Sequence, residues 1–306
     1  MRTSIIIGSR GSKLALIQTN SVATRLKEVN PHLEVSIRTI ITAGDRDRHT
    51  QLDQMGTAVF VKELETALLK NRIDIAVHSL KDVPTELHED LCLLAATERL
   101  DPRDVLISDS GRLDELAPGS RIGTGSLRRA VQLTRYRPDL EVCSIRGNVD
   151  TRVRKVSSGE VEGVIVAAAA MSRLGQEDRI TEYLPLEHFL PATGQGALVV
   201  ESRLGDKEVT ELVSPINHIP TWQSVTAERT FLSALGGGCR FPIAALATID
   251  GDALTLEGMV TDVSGKKILH AREEGIVVSP EEVGVRLAQR MLDMGASEFI
   301  AGVRDG

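Results

Sequence analysis

The sequence is poor in aromatic residues and in net positive charge, and each shortage excludes a class of function. Only five Phe, two Tyr and one Trp occur among 306 residues. So few aromatic rings leave little to stack single-stranded bases or to line a flat apolar cofactor pocket. The 43 Asp and Glu exceed the 36 Lys and Arg, which gives a net charge of −7. No general positive field is available to hold nucleic acid, so we predict no nucleic-acid partner.

Cysteines and long hydrophobic runs are also scarce. Cys92, Cys143 and Cys239 lie far apart with no C-x-x-C pair, so the sequence predicts neither a disulfide framework nor a metal site. The longest apolar stretch, residues 164–171, falls well short of the roughly 20 residues that span a bilayer. The N-terminal apolar run is too short for a signal-peptide core. We therefore expect a cytoplasmic protein without membrane contact.

Strand-like and helix-like periodicities alternate through about the first two thirds of the chain. The first set of these segments comprises residues 5–8, 12–29, 35–41, 60–70 and 73–77. After the charged segment 98–103, the same alternation restarts at residues 121–123, 126–136, 140–145, 148–157 and 161–170. This βαβ order predicts two α/β domains with largely parallel sheets, whose ligands bind beyond the carboxyl ends of the strands.

The last third of the chain has a different pattern. A predicted helix at residues 223–235 precedes a glycine-rich turn, strands with alternating apolar residues, and helices at 280–292 and 296–303. This pattern indicates a small α+β domain. A strand at 197–201 is expected to return to the first domain. The predicted domains are therefore 1–98 with 196–216, 99–195, and 217–306.

Two loops, residues 7–13 and 122–129, share one design. Each ends a strand, turns on glycine and opens a helix, whose free N–H groups and positive dipole end attract an anion. The simpler interpretation is that Ser12 and Ser126 only cap their helices, and for either loop taken alone that interpretation is favoured.

Arginines accompany these loops. Arg10, Arg128 and Arg129 lie in them, while Arg146 and Arg152 flank a third junction between a strand and a helix. Taken singly, each would be a solvated surface charge. Arginine binds carboxylates and phosphates in a planar, bidentate manner, so several at such junctions in an acidic chain indicate a polyanionic small molecule held between two domains.

Asp82 follows a predicted strand in the segment 75–84, beside Lys81 and near His78. A carboxylate held in a cleft can stabilise a developing cation and move a proton. The alternative is a polar loop that ends at Pro84.

Cys239 follows three glycines and precedes Arg240. The glycines leave room beside the sulfur, and the arginine favours the thiolate. A buried, inert cysteine is the alternative.

Five segments together resemble the porphobilinogen deaminase family, in unbroken order from the first strand to the C-terminal region. They are VFVKELETALLKNRIDIAVHSLKDVP at 59–84, GTGSLRR at 123–129, IRGNVDTR at 145–152, PATGQGA at 191–197 and GGCRFPI at 237–243. The resemblance implies two α/β domains like those of periplasmic binding proteins, and a third α+β domain. It also implies a monomer that joins four porphobilinogens head to tail onto a covalent dipyrromethane primer and releases hydroxymethylbilane.

The resemblance implies roles for individual residues. Asp82 would be catalytic, stabilising the cationic azafulvene that forms on loss of ammonia, and Cys239 would hold the dipyrromethane by a thioether. The positions implied to contact the dipyrromethane are Ser79, Lys81, Thr124, Ser126, Arg128, Arg129, Arg146 and Gly147. Those implied to contact the substrate are Arg10, Ser12, Phe60, Arg146, Arg152, Arg173 and Gln195.

The chain departs from the family pattern at a few positions. Thr57 stands where the family has a lysine expected to face the cleft. Near the cysteine, Gly236, Arg240 and Phe241 replace Glu, Gln and Val, and Asp150 stands where Gly is common. Since the key Asp and Cys are present, we expect an active enzyme with altered elongation kinetics.

A second hypothesis is a binding protein of the same two-lobed architecture that captures a polycarboxylate or an oxyanion without chemistry. The absence of an export signal and the surroundings of Cys239 favour the enzyme.

Overall fold

The computed structural model describes residues 2–42, 61–236, 242–262 and 265–299. Its contacts divide the chain into two compact units: Met1–Arg99 with Ala197–Gln223, and Leu100–Gly196 with Ser224–Gly306. The three-domain boundaries given above stay a prediction. Within the described residues, no helix has both the length and the apolar character needed to cross a membrane.

The strands, in chain order, are β1 (Ser4–Arg10), β2 (Glu34–Ile40), β3 (Ile75–Ser79), β4 (Leu91–Ala96), β5 (Asp104–Ser108), β6 (Arg121–Thr124), β7 (Glu141–Ser144), β8 (Gly163–Ala167), β9 (Glu182–Tyr183), β10 (Leu198–Arg203), β11 (Ile243–Asp250), β12 (Ala253–Thr261) and β13 (Ile268–Ile276). The α-helices are α1 (Lys13–Val29), α2 (Lys62–Leu69), α3 (Leu127–Tyr136), α4 (Val149–Ser157), α5 (Ala168–Leu174), α6 (Lys207–Val213), α7 (Ile219–Ala234) and α8 (Pro280–Asp293). Short 3-10 helices cover Leu80–Asp82, Glu177–Arg179 and Ser214–Ile216.

The first unit is built on a sheet of five strands in the order β2-β1-β3-β10-β4. β1 runs parallel to β2 and β3, while β10 runs antiparallel to β3 and β4. One face of the sheet packs Ile7 and Val77 against Val22 and Leu26 of α1. The other face is covered by α2, whose Leu64 is fully buried. Both faces are therefore apolar, as expected of a sheet enclosed by helices.

The second unit contains a similar sheet in the order β7-β6-β8-β5-β9. β6 is parallel to β7 and β8, and β5 is antiparallel to β8. The predicted α/β class is confirmed, but β5 was not predicted as a strand, and the antiparallel direction of β10 was not foreseen in sheets predicted to be largely parallel. The reason is that a strand buried on both faces gives the same continuous apolar run in either direction.

The apolar run at residues 161–170 is divided between two elements. Its β-branched part forms β8, and its alanines begin α5 directly afterwards. This division follows intrinsic preference, because Val and Ile favour strands and Ala favours helices. It also brings Arg173 into the last turn of α5.

The C-terminal residues form the predicted α+β arrangement. β11, β12 and β13 make an antiparallel meander, and α7 and α8 pack on it through residues such as Phe231 and Leu287. α7 begins at Ile219 rather than at the predicted residue 223. Pro220 is tolerated in its first turn, and the His218 ring accepts a hydrogen bond from the Thr221 N–H at 3.3 Å.

We predict that Gly284→Ala destabilises this region. A methyl group on Gly284 of α8 would lie 2.6 Å from the Ala227 carbonyl oxygen of α7, so the two helices would have to separate. The free energy of unfolding should fall by about 1–3 kcal/mol, because the overpacking outweighs the better helix propensity of alanine. Urea denaturation measures this change in the free energy of unfolding. Val285→Ala, at the exposed neighbouring position, is the control and should stay within about 0.5 kcal/mol of wild type.

A second stability prediction concerns His270 and Glu257, whose side chains lie 2.6 Å apart on the meander. The hydrogen bond to Glu257 raises the pKa of His270 above its ordinary 6.5. The stabilisation is therefore complete below about pH 6.5 and is lost as the pH rises through the raised pKa. Thermal unfolding between pH 6 and 9 should show a larger loss of Tm for wild type than for His270→Gln, and parallel curves would contradict the prediction.

Candidate active site

The junction between β1 and α1 places Arg10 and Ser12 at one edge of the first sheet. Arg10 is the last residue of β1, and Ser12 is the N-cap of α1. The Ser12 hydroxyl accepts a hydrogen bond from the Ala15 N–H at 3.3 Å. The capping interpretation is therefore confirmed for Ser12. Both side chains are partly exposed.

Asp82 lies at the same edge, because β3 is parallel to β1 and ends beside it. β3 stops at Ser79, and the next three residues form a single 3-10 turn that ends with Asp82. Leu80 is buried and its N–H donates to the Ala197 carbonyl at 3.0 Å, which anchors the turn. Lys81 and Asp82 remain half-buried, accessible to a ligand yet held by the fold.

Two further contacts hold the end of β3. The Ser79 hydroxyl accepts from the side-chain amide of Gln18 at 2.9 Å. His78 lies 3.0 Å from the Glu201 carboxylate of β10, and both side chains are buried. Glu201 was missed by sequence reasoning, although an acidic residue in the apolar run of β10 is a signal for a buried partner. These contacts fix the base of the Asp82 turn.

The corresponding junction in the second unit joins β6 to α3. Thr124 ends β6 and is buried, and its hydroxyl accepts from the Ser126 N–H at 3.2 Å. Ser126 occupies the N-cap position, but its side chain makes no capping hydrogen bond. The capping interpretation is therefore wrong for Ser126. A side chain at Gly125 would lie 2.8 Å from the Ile145 carbonyl oxygen, which explains the glycine.

Arg128 and Arg129, in the first turns of α3, are 5% and 6% exposed. Both reach the fully buried Asp104 at the start of β5, with Nη2 atoms 2.8 and 2.7 Å from its oxygens. Gln195 completes the group, since its amide donates to Asp104 at 2.8 Å and to the Pro102 carbonyl at 2.7 Å. Sequence reasoning expected these arginines and Gln195 at a ligand, but it did not foresee their shared carboxylate.

Asp104 stays ionised in this position. Burial alone would raise its pKa, but Arg128 and Arg129 together with hydrogen bonds from Arg129 and Gln195 hold the pKa well below its ordinary value. Burial in turn lowers the pKa of Arg128, and the Asp104 carboxylate opposes that effect. An acidic residue at the start of a completely buried strand was the signal that could have identified Asp104.

A third junction, between β7 and α4, carries Arg146, Gly147 and Arg152. Gly147 has a φ of +107°, which favours glycine, and its carbonyl accepts from Arg152 Nε at 2.9 Å. Asn148 caps α4 by accepting from the Thr151 N–H at 2.9 Å. Because β7 is parallel to β6, these residues lie at the same edge of the second sheet as Thr124.

Arg173 donates to the Gly196 carbonyl at 2.6 Å. Burial lowers its pKa to about 10. A guanidinium in that position is stabilised by any carboxylate that binds it.

Two predicted site residues, Phe60 and Cys239, lie outside the described residues, as do Thr57, Arg240 and Phe241. Gly236 is described and follows the end of α7 with a φ of +65°, a conformation typical of helix C-termini. Its position explains why glycine is suited there.

The fold and these sheet edges define an α/β protein suited to carboxylate-rich small molecules: one edge presents an aspartate beside a lysine, and the other presents several arginines. Residues 5–211 match the family model described as porphobilinogen deaminase, dipyromethane cofactor binding domain, and residues 222–293 match the model of the C-terminal domain. The chain belongs to the porphobilinogen deaminase family.

Relatives named porphobilinogen deaminase match over nearly the whole chain. That of Syntrophus aciditrophicus is 45% identical over 98% of this chain and 99% of its own length. That of Geobacter sulfurreducens is 47% identical over 97% and 94%, and that of Thermus thermophilus is 45% identical over 98% and 99%. Among solved structures, a putative methionine-binding lipoprotein from Bacillus subtilis is 12% identical, with a TM-score of 0.42 over 69% of this chain and 90% of that one.

Proposed function

We propose that this chain is a cytoplasmic, monomeric transferase that joins four porphobilinogens head to tail and releases hydroxymethylbilane for tetrapyrrole and haem biosynthesis. The observation that carries the proposal is membership of the porphobilinogen deaminase family over nearly the full length. The sheet edges described above support it, since a pyrrole substrate with two carboxylates needs arginines to bind it and a carboxylate to stabilise a cation.

The dipyrromethane named in the family model fits the donors of this chain. Its carboxylates need cationic hydrogen-bond donors, and Arg129 Nε is a buried donor with no hydrogen-bond partner among the described residues. We propose that Cys239 holds the group by a thioether. The proposed contacts are Ser79, Lys81, Thr124, Ser126, Arg128, Arg129, Arg146 and Gly147. When bound, the dipyrromethane supplies the nucleophilic pyrrole carbon to which substrate is joined.

For the substrate, we propose that arginines bind its acetate and propionate groups. The proposed contacts are Arg10, Ser12, Phe60, Arg146, Arg152, Arg173 and Gln195. Gln195 is 1% exposed and donates to Pro102 and Asp104, so its proposed contact with the substrate is indirect, through the neighbouring arginines. A bound anion compensates the charge of the half-buried Arg173, whose pKa is lowered by burial.

Asp82 is the proposed catalytic residue. When porphobilinogen loses its protonated amino group as ammonia, the pyrrole nitrogen supplies the electrons and the remaining methylene becomes cationic. The Asp82 carboxylate stabilises that cation and accepts a hydrogen bond from the pyrrole N–H. Because the turn is anchored at Leu80 and Ser79, the carboxylate is positioned before the substrate binds.

Incubation of the purified protein with porphobilinogen tests the proposal. We expect release of one ammonia for each porphobilinogen consumed, with hydroxymethylbilane as the product. Reversible binding of porphobilinogen without ammonia release would favour the binding-protein hypothesis instead.

A further inference from the structure

We propose that Asp104 is a positioning residue for carboxylate binding. Its buried carboxylate contacts both Arg128 and Arg129 and fixes the two guanidinium groups. The two arginines together keep one unit of positive charge that Asp104 does not neutralise. The inference rests on the proposed function, in which these two arginines contact the dipyrromethane. Asp104 itself would touch neither the dipyrromethane nor the substrate.

The geometry gives each arginine two anchors. Arg128 contacts Asp104 through Nη2 and donates from Nη1 to the Leu190 carbonyl at 2.7 Å. Arg129 contacts Asp104 through Nη2 and donates from Nη1 to the Ile165 carbonyl at 3.2 Å. Each guanidinium is therefore held at two of its nitrogen atoms, one by the Asp104 charge and one by a main-chain carbonyl, which restricts its rotation. Asp104 is the partner that the two arginines have in common.

The charges in this group do not balance. Two guanidinium groups face one carboxylate, and all three side chains are buried. Gln195 adds a hydrogen bond to Asp104 but no charge. Arg129 Nε is left as a buried donor without a hydrogen-bond partner among the described residues. An excess positive charge and an unused donor are both satisfied when a ligand carboxylate binds.

Removing the Asp104 charge should therefore disturb carboxylate binding, and it also costs stability because two buried guanidinium groups lose their counter-charge. Asp104→Asn keeps the shape of the side chain, but its amide group presents a donor where an acceptor is needed. Arg128 and Arg129 then repel each other and lose their common anchor. Each arginine then keeps its carbonyl anchor, but the two are no longer fixed by a common partner.

Asp74 provides a matched control in the first unit. It is a buried aspartate that pairs with two arginines, Arg2 and Arg203, and it accepts from the Ile6 N–H at 2.8 Å. Asp74→Asn breaks the same kind of contacts away from the proposed arginine contacts. A merely structural role for Asp104 predicts that the two variants behave alike.

The test measures the fraction of folded chains that carry the dipyrromethane mass, by intact mass spectrometry, together with the KM for porphobilinogen. We expect Asp104→Asn to lose roughly tenfold in loaded fraction and Asp74→Asn to match wild type. Equal loading of all three proteins would overturn the proposal. An unloaded and inactive wild type would instead refute the proposed function, which distinguishes the two failures.

If Asp104→Asn does not fold, the Asp104→Glu variant provides a second test of the proposal. It keeps the negative charge but shifts the carboxylate by one methylene. We expect a folded protein with a reduced loaded fraction and a KM raised roughly tenfold. Wild-type loading and wild-type KM in that variant would overturn the proposal.

Discussion

Replacing Asp82 with Asn is expected to lower the turnover of porphobilinogen by roughly 10²-fold or more while the protein remains folded. The substitution keeps the size of the side chain and removes its negative charge. Since Asp82 ends a turn anchored by the buried Leu80, the loss of charge should not disturb the fold. The cation formed on loss of ammonia would then lose its preorganised counter-charge, and kcat should fall more than KM rises.

Glu86→Gln is the matched control for this experiment. Glu86 is an exposed carboxylate a few residues further along the same segment, and its replacement should leave turnover unchanged. Circular dichroism and thermal unfolding establish that both variants are folded. Near wild-type turnover in the Asp82 variant would remove this residue from the mechanism.

Replacing Cys239 with Ser is expected to abolish turnover, because a serine hydroxyl cannot replace the thiolate that forms the thioether. Cys92→Ser and Cys143→Ser are the controls. Burial raises the pKa of both thiols, and nearby carboxylates, Glu201 and Glu141 respectively, raise it further. Neither sulfur is therefore suited to form a thiolate, and both variants should keep wild-type turnover.

Full turnover by the Cys239 variant would place the attachment elsewhere in the chain. Loss of turnover in the Cys92 or Cys143 variants, with the fold intact, would instead show that the effect is not specific to Cys239. The three variants therefore separate attachment at one cysteine from a general sensitivity to cysteine replacement.

Much of the local structure could be predicted from the sequence. Serine and asparagine at the junctions correctly predicted where helices begin, as at Ser12 and Asn148, because capping depends on neighbouring residues. The order of strands and helices also predicted the α/β class, because that order depends on local patterns along the chain. The arrangement of parallel strands then explains why Arg10 and Asp82 lie at one edge of the first sheet.

The partners of the buried charges could not be predicted. Asp104, Arg128 and Gln195 meet although they are far apart in the chain, and no local pattern specifies that meeting. The same holds for His78 and Glu201 on neighbouring strands. The strand β5 was not predicted at all, and the direction of β10 could not be inferred, since burial on both faces removes the alternation that distinguishes antiparallel strands. Tertiary contacts decide these features.

The intact mass of the denatured protein, purified without added substrate, decides whether this chain carries a covalent dipyrromethane. We predict that wild type carries an additional mass equal to a dipyrromethane made from porphobilinogen with loss of ammonia, and that the Cys239→Ser variant does not. An unmodified wild type that stays unmodified after incubation with porphobilinogen would show that this chain neither assembles nor holds the dipyrromethane.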